Sequence, residues 1–191
     1  TLPFAFTYNG VLYAPGAGVG IDSDGWIAFS NSSPVNMTGT FAGGSFATIT
    51  DPTGVYLSGT ANNNGVCGFN ADLGAQFFPT INGTLTTGSA LITGVSSFTN
   101  IQVGTRLEGT GIANGTVVAS FNIGASTITM SSNASTTGSS SITPRSSVYA
   151  FTTGTAPNRK FVVQWTQVKR NLIVSGESMS FQIILSEGGG N

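Results

Sequence analysis

Apolar residues along this chain fall in short runs with a period of two, and no window shows convincing 3.6-residue periodicity. Leu2, Phe4 and Phe6 share one face of a first predicted strand, and Asn9-Gly10 follows as a hairpin turn, because that dipeptide tolerates positive φ. "VLYA", "VGID" and "GWIAFS" come next, the last two joined by an Asp-Ser-Asp-Gly turn, with Trp26 and Ala28 alternating with Ile27 and Phe29. "FATIT", "VYLSGT" and "GVCGFNADL" continue the series. Near the other end, Phe161, Val163 and Trp165 fall on one face of a strand, and Val162 and Val168 on the other. A strand apolar on both faces belongs at the centre of a sheet. In the last predicted strand Phe181, Ile183 and Leu185 face inward. Gly, Asn, Pro or Asp bounds each run, which is the pattern of an all-β protein.

The pattern changes near Pro79. From residue 80 to about 146 aromatics nearly vanish and Thr, Ser and Gly dominate. The predicted strands there are "ALITGV", "TRLEGT", "TVVASF" and "STITM". Aromatics return at "SVYAFTTG". These shifts predict an antiparallel β-sandwich, Ig-like or jelly-roll-like, with an inserted small β subdomain. Residues 1–78 plus 147–191 form the discontinuous parent, and residues 79–146 the insert.

Composition narrows the chemistry. Charged residues are 7% of the chain, against roughly 25% in an average soluble protein. Hydrophobic residues still reach 39%, so the chain can build a core under a surface of neutral hydroxyls and amides. A net charge of −1 leaves no basic patch to track phosphates, and nucleic acid is excluded as a partner. No apolar run approaches the ~20 residues that span a bilayer, so no membrane insertion is expected. Both termini read as cut from a longer chain. The single cysteine, Cys67, forms no intramolecular disulfide and sits among small apolar neighbours as a buried small hydrophobe. Without histidine the chain lacks the commonest general base and most zinc sites.

Four segments in order carry a resemblance: "LPFAFTYNGVLY…VGIDSDGWIAFS", "VCGFNADL", "GTAPNRKFVVQWTQVKR" and "SFQIILSE". They resemble β-sandwich modules of large extracellular surface proteins of Bacteroidota exported by type IX secretion. The resemblance covers residues 1–78 and 147–191. Family members usually continue into a closing strand after an E-x-x-N turn, and the resemblance therefore implies that a closing strand is missing here. The insert resembles Gly/Thr-rich β units of giant bacterial surface proteins and phage tail fibres. Both resemblances imply display, adhesion or structural roles outside the cell, and neither implies catalysis.

The candidate sites are few. Asp22 and Asp24 in D-x-D-G can begin a calcium loop, which needs oxygen ligands at positions 1, 3 and 5 and a Glu at position 12. Counted from Asp22, Trp26 and Ser33 occupy the last two of those positions, so the pattern fails after two ligands, and a hairpin turn is preferred over calcium. Asp51 and Asp72 lie in turn or strand-end contexts and make a poor carboxylate pair for a hydrolase. Both Trp residues are assigned to the core by strand phase, leaving Tyr56 and Tyr149 as possible glycan contacts. Arg159, Lys160, Lys169 and Arg170 bracket one strand and read as edge protection or turn solvation. Asn82-Gly-Thr84 and Asn114-Gly-Thr116 read as turns outside a eukaryotic secretory setting.

The function expected is a non-enzymatic structural or adhesive module at the cell surface, without cofactor, that self-associates or packs on neighbouring modules and assembles into a filament by strand addition. The alternatives are a glycan-binding module and a phage tail-fibre-like structural protein.

Overall fold

The structure is a computed structural model and describes residues 1–21, 25–30, 65–68, 73–170 and 177–189. It is all-β, with antiparallel sheets and no helix among the described residues. The predicted strands "FATIT" and "VYLSGT", the residues Asp22, Asp24, Asp51, Tyr56 and Asp72, and the surroundings of the Cys67 side chain lie outside the described residues.

The chain opens with a hairpin of β1 (Phe6–Tyr8) and β2 (Val11–Tyr13). Asn9 and Gly10 take φ of 48° and 74°, the two positive values that a type I′ turn requires. Phe6 stands opposite Tyr13, and both are buried. β3 (Gly18–Ile21), β4 (Trp26–Ser30) and β5 (Gly65–Cys67) form a second sheet, with Ile21 opposite Ile27 across the expected hairpin and Gly25 at φ 92°. Ile27 and Phe29 point into the core, whereas Trp26 is only half-buried on the other face. Assigning both tryptophans to the core was therefore wrong for Trp26: period two places it opposite Ile27 and Phe29, and those two fill the interior.

β13 (Ser147–Thr153), β14 (Lys160–Arg170) and β15 (Met179–Ser186) make the principal sheet, and β6 (Leu73–Gly74) pairs with the end of β14. β14 is central, as its two apolar faces predict. Phe161, Val163, Trp165, Ile183 and Leu185 pack against Leu2, Phe4, Phe6, Tyr13, Ile27 and Phe29. The Phe29 ring lies 5.2–5.5 Å from the rings of Tyr13, Phe6 and Tyr8. Trp165 stacks on Phe181 at 4.9 Å.

One feature of β14 overturns the expected phase. The register against β15 shifts between Trp165 and Val168, and Gln167 takes φ 55°. This β-bulge adds one residue to the strand. Val168 consequently joins Trp165 in the core instead of sharing the face of Val162. Gln167, which unbroken alternation would aim into the aromatic core, is redirected.

Residues 81–142 build a separate core from Ile81, Leu85, Ile92, Val95, Ile101, Leu107, Val118, Ile128, Met130, Ala134 and Ile142. One sheet has the order β7 (Ile81–Leu85), β12 (Gly138–Arg145), β9 (Arg106–Glu108), and the other β10 (Val118–Asn122), β11 (Thr127–Met130), β8 (Leu91–Ile92). Asn82-Gly-Thr84 lies inside β7, a correction to its assignment as a turn. A side chain at Gly83 would put a carbon 2.5 Å from Ile92 Cγ2, so this glycine serves close packing. Asn114-Gly-Thr116 is a turn as expected, with Gly115 at φ 81°.

Candidate functional site

The two cores meet where β12 hands over to β13. Phe78 N–H donates to the Pro144 carbonyl at 3.1 Å, Ser146 N–H to the Gln76 carbonyl at 3.1 Å, and Gln76 N–H to Ser146 Oγ at 2.8 Å. The strands entering and leaving residues 79–146 thus run side by side. Beside this neck Arg106 and Arg145 stand opposite each other, and Glu108 bridges them at 3.0 and 2.7 Å. The Arg145 guanidinium also lies 4.1 Å over the exposed Phe77 ring.

The bulge in β14 explains how the neck is clasped. Gln167 is 1% exposed, and a buried amide must find partners. Its Oε1 accepts from Thr105 Oγ1 at 2.7 Å, and its Nε2 donates to the Asn100 carbonyl at 2.9 Å. Its backbone N–H donates to Ser180 Oγ at 3.0 Å, and its carbonyl accepts from Gln76 Nε2 at 3.0 Å. Four bonds from one residue join β14, β15, residue 76 and the 100–105 loop. Ser147 Oγ adds a bond to the Gly104 carbonyl, and Gln164 Nε2 one to the Val103 carbonyl at 3.3 Å. Gly104, at φ 89°, lets that loop descend: a side chain there would reach 2.6 Å from the Tyr149 hydroxyl.

A cleft of about 310 Å³ opens beside the neck, lined by residues that include Leu73, Ala75, Arg106, Val117, Val148 and Tyr149. Burial raises the Tyr149 hydroxyl above the ordinary phenol range, so it is neutral at physiological pH and can both donate and accept hydrogen bonds. The Tyr149 ring stacks on Phe151 at 5.6 Å. Of the two predicted glycan contacts, then, Tyr149 stands at the junction of the two cores beside a second aromatic ring, and Tyr56 is outside the described residues. Asp22 and Asp24, the predicted calcium pair, are outside them too. Among the described residues no group of three or more His, Cys, Asp or Glu side chains is gathered to hold a metal.

Arg159 and Arg170 do other work than edge protection, since β14 is a central strand and both are held in ion pairs. Arg159 donates to both Glu187 carboxylate oxygens and, at 3.0 Å, to the Pro3 carbonyl. Its guanidinium also lies 5.6 Å from the Phe4 ring centre. That hydrogen-bonded ion pair holds the Glu187 carboxyl down at about 2. Arg170 pairs with Glu177 at 2.9 Å and likewise lowers its pKa. Sequence reading missed Gln167, Phe151 and the 100–105 loop. The one available signal was a polar residue in phase with Phe161, Val163 and Trp165.

Comparison with known proteins gives one family match. A family model described as NIDO related matches residues 113–191, less than half of the chain. It is a domain type found in extracellular proteins. The matched span runs from just before β10 through β15, so it crosses the neck and includes parts of both cores. The comparisons with curated proteins and with solved structures gave no match.

Proposed function

We propose that the chain is a non-enzymatic structural and adhesive module of an extracellular bacterial surface protein, and that copies of it associate by strand addition. In this reading residues 79–146 are an insert carried on a discontinuous sandwich, with Gln167 holding it in a defined pose. The observation that carries the reading is the edge of the principal sheet. Among the described residues β15 pairs only with β14, so no described strand lies along its other edge. Such an edge is a template for another strand. The family match supports an extracellular setting. The scarcity of charge supports close packing of copies, because little must be desolvated or repelled. Bacteroidota as the source and type IX secretion as the route rest on the sequence resemblance alone.

Negative-stain electron microscopy with light scattering tests the reading. The purified chain is expected to form filaments, and Ile184→Lys, which puts a charge on the β15 strand, to remain monomeric. Monodisperse monomers at high concentration, or equal assembly by both proteins, would contradict it.

A further inference from the structure

The principal sheet has a second face, turned away from the aromatic core, and the register places its residues in rows. Tyr149, Gln164 and Gln182 lie side by side across β13, β14 and β15, and Phe151, Val162 and Ile184 form the next row. Phe151 and Ile184 are exposed, 38% and 49%. Lys160, between Thr153 and Ser186, forms the third row and brings the only charge to these three rows. On the side of the first row the 100–105 loop makes a wall, from which the exposed Val103 gives its carbonyl to Gln164.

We propose that this face is a binding site for a neutral polysaccharide. Three observations point to that chemistry. Tyr149 and Phe151, two residues apart on one strand, hold their rings 5.6 Å apart and within 22° of parallel. Together the stacked rings, with Phe151 exposed, form one apolar platform of ring edges against which the C–H groups of a pyranose ring pack. Beside the platform stands a fixed pair of amides. Gln182 Nε2 donates to Gln164 Oε1 at 2.7 Å, and Gln164 Nε2 donates to Thr166 Oγ1 at 2.8 Å. This chain orders the exposed Gln182 while leaving its Oε1 and second N–H for ligand hydroxyls. Charge is the third observation: one lysine at the rim and no acid in the three rows match an uncharged chain and give an anionic polymer no set of cations. A pre-ordered platform loses little entropy on binding.

The site lies on a sheet face, whereas the proposed self-association uses the backbone edge of β15; Ile184 belongs to both, so the two are separated by Gln182→Ala and Phe151→Ala, which leave the β15 backbone edge unchanged. Native affinity electrophoresis of the full chain tests it, in gels containing xyloglucan, mixed-linkage β-glucan or galactomannan, with alginate as the anionic control. The chain is expected to be retarded by at least one neutral polymer and not by alginate. Phe151→Ala and Gln182→Ala should each weaken retardation about tenfold. Tyr149→Phe should keep most of it, since the ring remains, and Phe121→Ala, an exposed aromatic change on the insert, should behave as wild type. Circular dichroism checks that the variants fold, and Gln182→Ala decides the matter if Phe151→Ala does not. No retardation by any neutral polymer, retardation by alginate alone, or unchanged binding in Gln182→Ala would overturn the proposal. Self-association abolished by Phe151→Ala without polysaccharide binding would overturn it too, and make a second copy the occupant.

Discussion

The two cores of this chain are filled by different kinds of side chain. The first gathers Phe4, Phe6, Tyr13, Phe29, Phe161 and Trp165 between strands of up to 11 residues. The second is aliphatic throughout, with Phe98 packed only at its margin, and most of its strands have two to five residues. Large rings fill the wide gap between facing sheets, about 10 Å across in a sandwich. Small aliphatics, and Gly83 against Ile92, suit short strands that pass close to one another. A change in the kind of apolar residue thus marks the passage from one core to the other, even though both are built of β-strands.

Emptying one core at a time separates the two most forcefully. Trp165→Ala should destabilise the aromatic core by about 3–5 kcal/mol, and Ile128→Ala the aliphatic one by about 2–5 kcal/mol. Near-UV circular dichroism of the tryptophan and tyrosine signals should register the first change strongly and the second weakly. A smaller effect is expected at the clasp between the cores. Gln167→Ala leaves the Thr105 hydroxyl and the Asn100 carbonyl without their partner, at a cost of about 2 kcal/mol. Amide exchange should then rise in the 100–105 loop while both cores stay protected. The smallest effect is one of pH. Glu187 has a depressed pKa in the folded chain, from an ordinary 4.5 to about 2. Its contribution to stability is therefore complete above about pH 4.5 and is lost as pH falls through the window down to about 2. Glu187→Gln should flatten the acid limb of the melting-temperature profile over that window, leaving the profile near neutrality parallel to wild type.

How much of this was legible in the sequence depended on whether local chemistry and long-range packing agreed. Asn9-Gly10 sits between two period-two runs and could only be a hairpin, and the structure gives both residues positive φ. The loss of aromatics near Pro79 and their return at Tyr149 coincide with the change from one core to the other. β7 and β12 escaped notice because Asn82-Gly83 has turn composition and Gly138–Ser141 has loop composition. Only their mutual pairing, Asn82 opposite Ser141, makes strands of them. The bulge at Gln167 was hidden for a related reason. A phase argument assumes an unbroken period of two, and the extra residue is set by the partners Gln167 finds on other strands. Of the candidate site, Tyr149 was visible as a possible glycan contact. Its stacking on Phe151 and the Gln164–Gln182 pair follow from register, which a single strand does not reveal.

If residues 79–146 are an insert, the sandwich that carries them folds around its own core. The neck gives a direct way to test it, since Gln76 and Ser146 are already hydrogen-bonded to each other. Residues 79–145 are excised, so that Ser146 stays on Gln76, a short Gly-Ser loop closes the gap, and thermal unfolding is followed by near-UV circular dichroism. The excised chain is expected to unfold in a cooperative transition with the aromatic signal of the parent retained. A featureless near-UV spectrum, or unfolding without cooperativity, would contradict this and make the two cores a single folding unit.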